Sequence, residues 1–212
     1  MRRAGLDPFG RLSTRLATWF VPPYKGRLGL RNLNPRGYIS PSATIYHNDL
    51  RFGANVFIGD RVVIYQHEDG GPVEIGDKVS IHNDVTIECG PRGSLKIGTL
   101  THIQPHCVLN VLEAPIEIGC HVQIAVNCTF FPYDHEFAPG ELIRHQPLQT
   151  KGGIFIEDDV WLGNGVSVLS GVRIGKGAVV GAGAVVTEDI PEGAIAVGVP
   201  ARVVKMRGSS EG

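Results

Sequence analysis

An aliphatic side chain recurs at every sixth position through the second half of this chain. The recurring residues are Ile156, Leu162, Val168, Ile174, Val180 and Val186, and a small or β-branched residue lies four positions after each of the first five. An α-helix would place apolar residues about every 3.6 positions, and a strand would alternate them, so neither explains a sustained period of six. The period is typical of a hexapeptide β-helix, in which three hexads complete one triangular coil. The sequence therefore predicts an all-β solenoid.

The same period continues upstream, interrupted by short slips. The predicted inward positions there are Ile39, Ile45, Phe52, Ile58, Ile64, Ile75, Ile81, Ile87, Ile97, Ile103, Leu109, Ile118, Ile124 and Phe130. The slips fall near residues 68–72, 90–93 and 113–115, which we predict to be loops at corners of the coil. Gly163, Gly175 and Gly181 directly follow inward positions, and we interpret them as residues that relax strained corners.

The largest slip separates Phe130 from Ile156, a span of twenty-six residues where six would suffice. Loops of this length in a compact fold are usually functional or disordered. The inserted segment, residues 131–153, contains Asp134-His135 and a second histidine, His145. We predict that it forms an arm that leaves the solenoid.

The length of 212 residues favours a single domain. We divide the chain into an N-terminal arm (1–36), a β-helix domain (37–207) that carries the loop insertion, and a short tail (208–212). The N-terminal arm holds eight basic side chains against one acidic one, whereas the remainder has a net charge of about −8.

The basic arm has two interpretations. It packs on a neighbouring subunit, or it contacts an anionic membrane surface or a phosphorylated carrier through an amphipathic stretch, residues 6–20, which includes Leu12, Leu16, Trp19 and Phe20. No apolar run approaches the length of a transmembrane span. Arginines interrupt any candidate secretory signal. We therefore expect a cytoplasmic protein, and no nucleic-acid partner is predicted.

The cysteines Cys89, Cys107, Cys120 and Cys128 show neither CxxC pairing nor zinc spacing. Cys107 and Cys128 occupy the small-residue position of their hexads, so we predict that they fill the core. Reduced thiols agree with the cytoplasm.

Residues 39–207 resemble the left-handed β-helix hexapeptide-repeat acyltransferases, in particular the galactoside, maltose and polysaccharide O-acetyltransferase group. The most specific block is residues 156–205, with Trp161 after Val160 and a closing Gly-Val-Pro-Ala-Arg. The resemblance implies a left-handed parallel β-helix, acetyl-CoA as cosubstrate without a metal ion, and a homotrimer whose active sites lie at subunit junctions.

The resemblance also implies catalytic roles. His135 matches the histidine that acts as general base on the acceptor hydroxyl, a role that suits an imidazole because it titrates near neutrality. Asn164 matches the residue whose backbone N–H stabilises the oxyanion. His145 has no counterpart in the family pattern.

For coenzyme A, the resemblance implies contacts with the Trp161 block and with the backbone near Ala182 and Thr187. Arg202 and Lys205 match positions near the nucleotide phosphates, for which guanidinium and ammonium groups are suited. The sequence departs from the family pattern at one position of this phosphate site. Glu188 stands where many relatives have lysine, and whether Arg207 compensates stays open.

On the acceptor side, the galactoside enzymes use an asparagine one coil before the base, and this chain offers Gln104 there, with Glu113 nearby. Asn127 is the third acceptor-site candidate. Gln104 and Glu113 are equally compatible with surface corner residues that bind nothing.

The predicted activity is acetyl-CoA-dependent O-acetylation of a sugar or glycan acceptor in surface polysaccharide synthesis. Three alternatives stay open, because one fold serves many functions. They are N-acetylation of an amino sugar, a non-catalytic β-helix scaffold, and a metalloenzyme like the γ-carbonic anhydrases. The last would use His82, His102, His106 and His121, but its close histidine pair is separated by five positions, whereas His102 and His106 are separated by four.

Overall fold

Three sheets of short parallel strands form the walls of a solenoid in the computed structural model, which describes residues 7–208. In chain order the elements are α1 (Pro8–Ala17), a 3₁₀ helix (Tyr24–Asn32), β1 (Tyr38–Ile39), β2 (Thr44–Tyr46), β3 (Leu50–Phe52), β4 (Phe57–Ile58), β5 (Val63–Gln66), β6 (Val73–Ile75), β7 (Ser80–Ile81), β8 (Thr86–Cys89), β9 (Leu95–Ile97), β10 (His102–Ile103), β11 (Val108–Val111), β12 (Ile116–Ile118), β13 (Gln123–Ile124), β14 (Thr129–Phe131), β15 (Asp134–His135), a second 3₁₀ helix (Ile143–His145), β16 (Leu148–Gln149), β17 (Ile154–Ile156), β18 (Trp161–Leu162), β19 (Ser167–Leu169), β20 (Arg173–Ile174), β21 (Val179–Val180), β22 (Val185–Val186), β23 (Ala194–Val197) and β24 (Arg202–Met206).

Successive strands go to successive walls, so each coil contributes one strand to each. Wall I contains β1, β4, β7, β10, β13, β18, β21, β23 and β24; wall II contains β2, β5, β8, β11, β14, β19 and β22; wall III contains β3, β6, β9, β12, β17 and β20. We call the turns between the walls corners I/II, II/III and III/I. Only β15 and β16 lie outside the walls, as a separate antiparallel pair.

The period-six residues stack on one another along the axis. In wall I, for example, Ile103 pairs in register with Ile81 of the preceding coil and Ile124 of the following one, and all three are buried. Branched aliphatic side chains in such flat, parallel strands pack face to face, and each residue removed from water stabilises the coil by about 1.5–3 kcal/mol. The predicted all-β solenoid, a parallel β-helix, is confirmed.

The slips in the period all fall at corner II/III. The segments 67–72, 90–94 and 112–115 connect a wall II strand to a wall III strand, and so does the long insertion between β14 and β17. The predicted corner loops and the predicted arm are therefore stacked on one edge of the solenoid. The arm is the largest member of this series.

The interpretation of Gly163 and its equivalents was wrong in its physical reason. These glycines do not have positive φ; the positive φ angles lie two residues further on, as at Gly165 (φ +68°). A Cβ at Gly163 would lie 2.7 Å from the backbone nitrogen of Ala182 in the next coil. The position therefore excludes side chains because neighbouring coils approach closely there, not because the corner is strained.

The cysteine predictions are confirmed for the core. Cys107 and Cys128 are fully buried, and their thiols donate to backbone oxygens of the next coil, Ala125 O at 3.1 Å and Gly163 O at 3.2 Å. Cys89 is also buried, and burial raises the pKa of its thiol to about 12. Cys89 therefore acts as a packing group, since a buried thiol that stays protonated is a poor nucleophile.

The described part of the N-terminal arm, from residue 7, is attached to wall I and corner I/II by arginines. Arg27 pairs with Asp60 at 3.1 Å, Arg31 donates to the hydroxyl of Ser80, and Arg11 donates to Pro41 O at 3.3 Å. Residues 1–6 and most of the predicted tail (209–212) lie outside the described residues. Within residues 7–208 no helix is both long and apolar enough to cross a bilayer.

Candidate active site

His135 lies at the base of the arm, where the two ends of the insertion pair with each other. It faces Leu148 across the short β15–β16 hairpin, and Glu136 N donates to Pro147 O at 3.1 Å. The Ser170 hydroxyl, at corner II/III of the following coil, donates to Asp134 Oδ2 at 3.4 Å. This pairing holds His135 at a defined height on the solenoid while its imidazole stays exposed to solvent.

The tip of the arm is organised around one buried amide. Gln146 accepts a hydrogen bond from Ala138 N at 2.7 Å and donates to the carbonyl oxygens of Ala138 and Glu141 at 3.0 and 2.9 Å. His145 lies beside it in the second 3₁₀ helix, where it is exposed and accepts a hydrogen bond from Arg144 at 2.9 Å. The two histidines of the arm thus have different surroundings, His135 in the paired strands at its base and His145 nearer its tip.

Acidic groups lie near Tyr133, two residues before His135, at corner II/III. Glu113 forms an ion pair with Arg92 in the preceding coil. Burial, followed by the carboxylates of Glu88 and Glu113, raises the pKa of Tyr133, two residues before His135. The predicted acceptor residue Glu113 therefore does lie on the same corner as the predicted base.

No motif in the sequence singles out Tyr133, Glu88 or Asn110 as site residues. The Asn110 side-chain oxygen is buried without a hydrogen-bond partner among the described residues. Asn110 is the in-register neighbour of Glu88 in wall II. The signal available in the sequence was positional: each of these residues lies at or near the end of a wall II strand, towards the corner from which the arm leaves.

A second group of predicted residues stacks at corner I/II. Gln104, Asn127, Asn164 and Ala182 occupy this corner in four successive coils. The Asn164 carbonyl accepts from Gly183 N at 2.8 Å. Its N–H, in contrast, donates to no acceptor within residues 7–208, and the residue is exposed. An unused backbone donor at the surface is the group that an oxyanion requires.

The two groups of residues lie on opposite sides of wall II. From Val166, two residues after Asn164, to Ser170, which contacts Asp134, the chain advances four residues through β19, or about 13 Å in extended conformation. One acceptor–thioester pair cannot bridge this distance within a single protomer, because reacting atoms need to approach to about 3 Å. Glu113 lies with His135, whereas Gln104 and Asn127 lie with Asn164.

The residues predicted to bind coenzyme A lie toward the C-terminal end of the solenoid. Trp161 is 54% exposed on the outer face of wall I, and Ala182 and Thr187 are exposed at successive corners. Arg202 pairs with Glu188 at 3.4 Å. Both Arg202 and Lys205 belong to β24, the exposed hairpin strand that closes wall I.

Arg207 is held at corner III/I, away from Glu188. Its guanidinium donates to Asp159 Oδ2 at 3.1 Å and to Gly177 O at 2.7 Å, both at corner III/I. Arg202 lies at the other end of β24, next to corner I/II. Arg207 is therefore not placed to supply the positive charge that is missing because position 188 is glutamate and not lysine.

The histidines considered for a metal site are spread over wall I and two corners. His82 is buried beneath the first 3₁₀ helix, with its ring 6.0 Å from that of Tyr24, while His106 and His121 are exposed at corners I/II and III/I. Over the described range 7–208, no group of three or more His, Cys, Asp or Glu side chains is arranged to hold a metal ion.

Two known hexapeptide-repeat families match parts of this chain. The family described as "Bacterial transferase hexapeptide (six repeats)" matches residues 153–188, and "Hexapeptide repeat of succinyl-transferase" matches residues 50–89. The chain is 39% identical over 153 residues to the probable acetyltransferase Rv3034c of Mycobacterium tuberculosis (strain ATCC 25618 / H37Rv), covering 72% of this chain and 50% of that protein.

Two further proteins extend the comparison. The galactoside O-acetyltransferase of Lactococcus lactis subsp. lactis (strain IL1403) is 40% identical over 99 residues, which cover 47% of each chain. The crystal structure of the polySia-specific acetyltransferase NeuO superposes with a TM-score of 0.64 at 25% identity, over 77% of this chain and 70% of that one. The chain spans about half the length of the curated relatives it matches.

The stacked hexads define a hexapeptide-repeat β-helix, and the matching sequences are those of transferases. The chain belongs to the hexapeptide-repeat acyltransferase family.

Proposed function

We propose that this protein transfers an acetyl group from acetyl-CoA to a hydroxyl group of a sugar or glycan. The observation that carries the proposal is the pair of complementary reactive groups: an exposed imidazole at the base of the arm and an unused backbone N–H at Asn164. The named activities of the relatives, acetyltransferases in each of the three cases reported above, support the same reaction class.

The separation of these groups supports a site shared between protomers. His135 lies at corner II/III and Asn164 at corner I/II, so corner I/II of one copy has to face corner II/III of the next. Such a contact joins two different surfaces, and a heterologous contact closes into a ring when the rotation permits. The proposed assembly is a homotrimer with three equivalent sites.

In the proposed mechanism, His135 accepts the proton of the acceptor hydroxyl as its oxygen attacks the thioester carbon. The Asn164 N–H of the neighbouring protomer donates a hydrogen bond to the carbonyl oxygen as it gains negative charge. The C–S bond then breaks, and His135 returns the proton to the departing thiolate. Trp161, Ala182 and Thr187 would line the groove for coenzyme A. These steps need no metal ion.

The charges around His135 bear on the acceptor. Glu88 and Glu113 act on Tyr133, two residues before His135, and Asp134 is the residue next to the base; among the described residues Arg92 pairs with Glu113, and His67 Nε2 lies 3.8 Å from Glu88 Oε2. Negative potential of this kind repels anionic sugars and favours neutral or cationic ones. A neutral glycan hydroxyl is our first candidate, as in the polysaccharide synthesis predicted above. Because the same carboxylates would also attract an ammonium group, N-acetylation of an amino sugar is the second.

The proposal is tested by measuring thiol release from acetyl-CoA against a panel of nucleotide sugars, simple glycosides, lipid-linked sugars and amino sugars. The proposal predicts acetylation of at least one neutral acceptor, with a product whose ester is cleaved by mild alkali. An alkali-stable amide product would select the second candidate. Hydrolysis of acetyl-CoA without transfer to any member of the panel would contradict both. Because acetyl-CoA is an intracellular metabolite, we propose the cytoplasm as the compartment.

A further inference from the structure

Helix α1 presents its apolar face to solvent. Phe9, Leu12 and Leu16 lie on one side of the helix and are 84%, 57% and 64% exposed. Trp19 and Phe20 continue this apolar surface beyond the end of the helix and are also largely exposed. If covered, the three aromatic side chains alone would remove on the order of 450 Å² from water. That area is comparable to the largest patch on a typical monomer, and such patches mark interaction sites.

The opposite, polar face of α1 packs on the protein itself. Gly10, Arg11, Thr14 and Thr18 are the less exposed positions, and Thr18 is buried. A cavity of about 270 Å³ beneath the helix is lined by residues that include Thr18, Ser40 and Asp60. The helix is therefore attached at corner I/II of the first two coils, with its apolar face turned outwards. This orientation is the reverse of that in an ordinary surface helix.

A second uncovered aromatic surface lies at the same height on wall II. Tyr46 and Tyr65 are in-register neighbours whose rings stack with centroids 5.4 Å apart, and they are 65% and 39% exposed. They lie at the end of wall II that leads into corner II/III. Glu68 and Asp69 line the adjoining cavity, and Glu88 follows Tyr65 in the ladder.

We infer that the apolar face of α1 docks on the Tyr46–Tyr65 stack of a neighbouring copy of this chain. The inference rests on the trimer of the proposed function, in which corner I/II of one copy faces corner II/III of the next. In parallel solenoids, equivalent heights meet. The contact that brings Asn164 to His135 in the later coils thus brings α1 to the tyrosines in the first two coils.

The charges beside the two surfaces favour contact between α1 of one copy and the tyrosines of the next. Arg15 is exposed beside Leu12 and Leu16, whereas Glu68 and Asp69 flank the tyrosines. The two surfaces therefore complement each other in apolar character and in sign. A heterologous ring requires two different surfaces that fit each other at one height, and these two satisfy that condition.

Crosslinking tests the contact. In a Cys120→Ser background, which leaves the buried thiols in place, Leu16→Cys is combined with Tyr65→Cys and the trimer is treated with a short bis-maleimide. We expect covalent dimers and trimers on a denaturing gel. The matched control combines Leu16→Cys with Glu74→Cys, on the charged outer face of wall III in the same coil. That control should give no crosslinked species.

Three outcomes overturn the inference. The first is a light-scattering mass of a trimer with no crosslink between positions 16 and 65, which leaves the proposed function intact. The second is a monomeric mass, which removes the shared site as well. The third is sedimentation of the wild type with phosphatidylglycerol vesicles that Leu12→Glu/Leu16→Glu abolishes, because the apolar face would then serve a membrane. We expect this double variant instead to raise the trimer dissociation constant by more than about tenfold.

Discussion

Arg202 and Glu188 form an ion pair, with Nη2 3.4 Å from Oε1, at the predicted phosphate site for coenzyme A. Both side chains are more than half exposed, so the pair itself contributes little to stability. The pair matters for ligand binding, because the Glu188 carboxylate binds the Arg202 guanidinium that is predicted to contact a phosphate of coenzyme A. If Arg202 binds a phosphate of coenzyme A as predicted, that phosphate has to displace Glu188.

This relationship predicts opposite effects of two variants on acetyl-CoA. Arg202→Ala/Lys205→Ala should raise the apparent KM for acetyl-CoA by more than about tenfold, since each charge-assisted hydrogen bond contributes roughly 1.5–3 kcal/mol. Glu188→Gln should lower it, because Arg202 is released. Initial rates at varied acetyl-CoA and fixed acceptor measure both effects. An unchanged KM in the double variant would place the phosphates elsewhere on the protein.

Acceptor selectivity should follow the carboxylates near His135. A neutral glycoside should be used at least about fivefold better than the matching uronic acid, because one like charge within several ångström costs about 1 kcal/mol at a protein surface. Glu88→Gln should lower the ratio of the rate with the neutral glycoside to the rate with the uronic acid. Glu117→Gln, on the outer face of wall III, should leave this ratio unchanged. Equal ratios in the wild type and Glu88→Gln would show that the acceptor binds away from this corner.

His82 should make the stability of the protein depend on pH. Burial, followed by the charges of His102, Lys25 and Arg31, lowers the pKa of His82 to about 4. The unfolded chain therefore binds more protons than the folded protein below pH ~6.5, and stability falls from there towards pH ~4. The free energy of unfolding should fall by at most about 3 kcal/mol over this pH range. Urea unfolding at pH 7.5 and 5.0 measures it.

Two histidine variants test whether His82 causes this pH dependence of stability. His82→Phe should remove most of this pH dependence, because the titrating imidazole is gone. The new ring should fit, since Phe57 and Tyr24 already surround this position. His121→Gln, at an exposed corner, should retain it. A wild type that is equally stable at both pH values would contradict the burial argument.

As general base, His135 should contribute on the order of 10²–10⁴ in rate. We expect His135→Ala to lower kcat by that factor and to leave the KM for acetyl-CoA nearly unchanged. His145→Ala, at the tip of the same arm, should cost far less and controls for disturbance of the arm. Equal losses in the two variants, together with weaker acetyl-CoA binding, would indicate that the arm only shapes the groove.

The sequence predicted the solenoid well because its signal is periodic. Each inward position, such as Ile103 or Leu162, repeats one physical requirement, and the slips locate the corner loops. The sequence analysis assigned no corners to His135 and Asn164, although the position of each hexad within its three-hexad coil would have separated them. It also could not reveal the ion pair of Arg202 with Glu188 or the outward face of α1. These features depend on how non-periodic segments fold back on the coils, for which no repeat exists.

We propose that His135 of one protomer and the Asn164 N–H of the next form each active site. Asn164→Pro removes this N–H, and His135→Ala removes the base, so each variant alone should be nearly inactive. The direct measurement is the activity of trimers reassembled from an equal mixture of the two variants, with the trimer mass verified by light scattering. Random assembly leaves one intact site in three-quarters of the trimers, so we predict recovery to about a quarter of wild-type activity. Mixed trimers no more active than either parent would contradict the shared site.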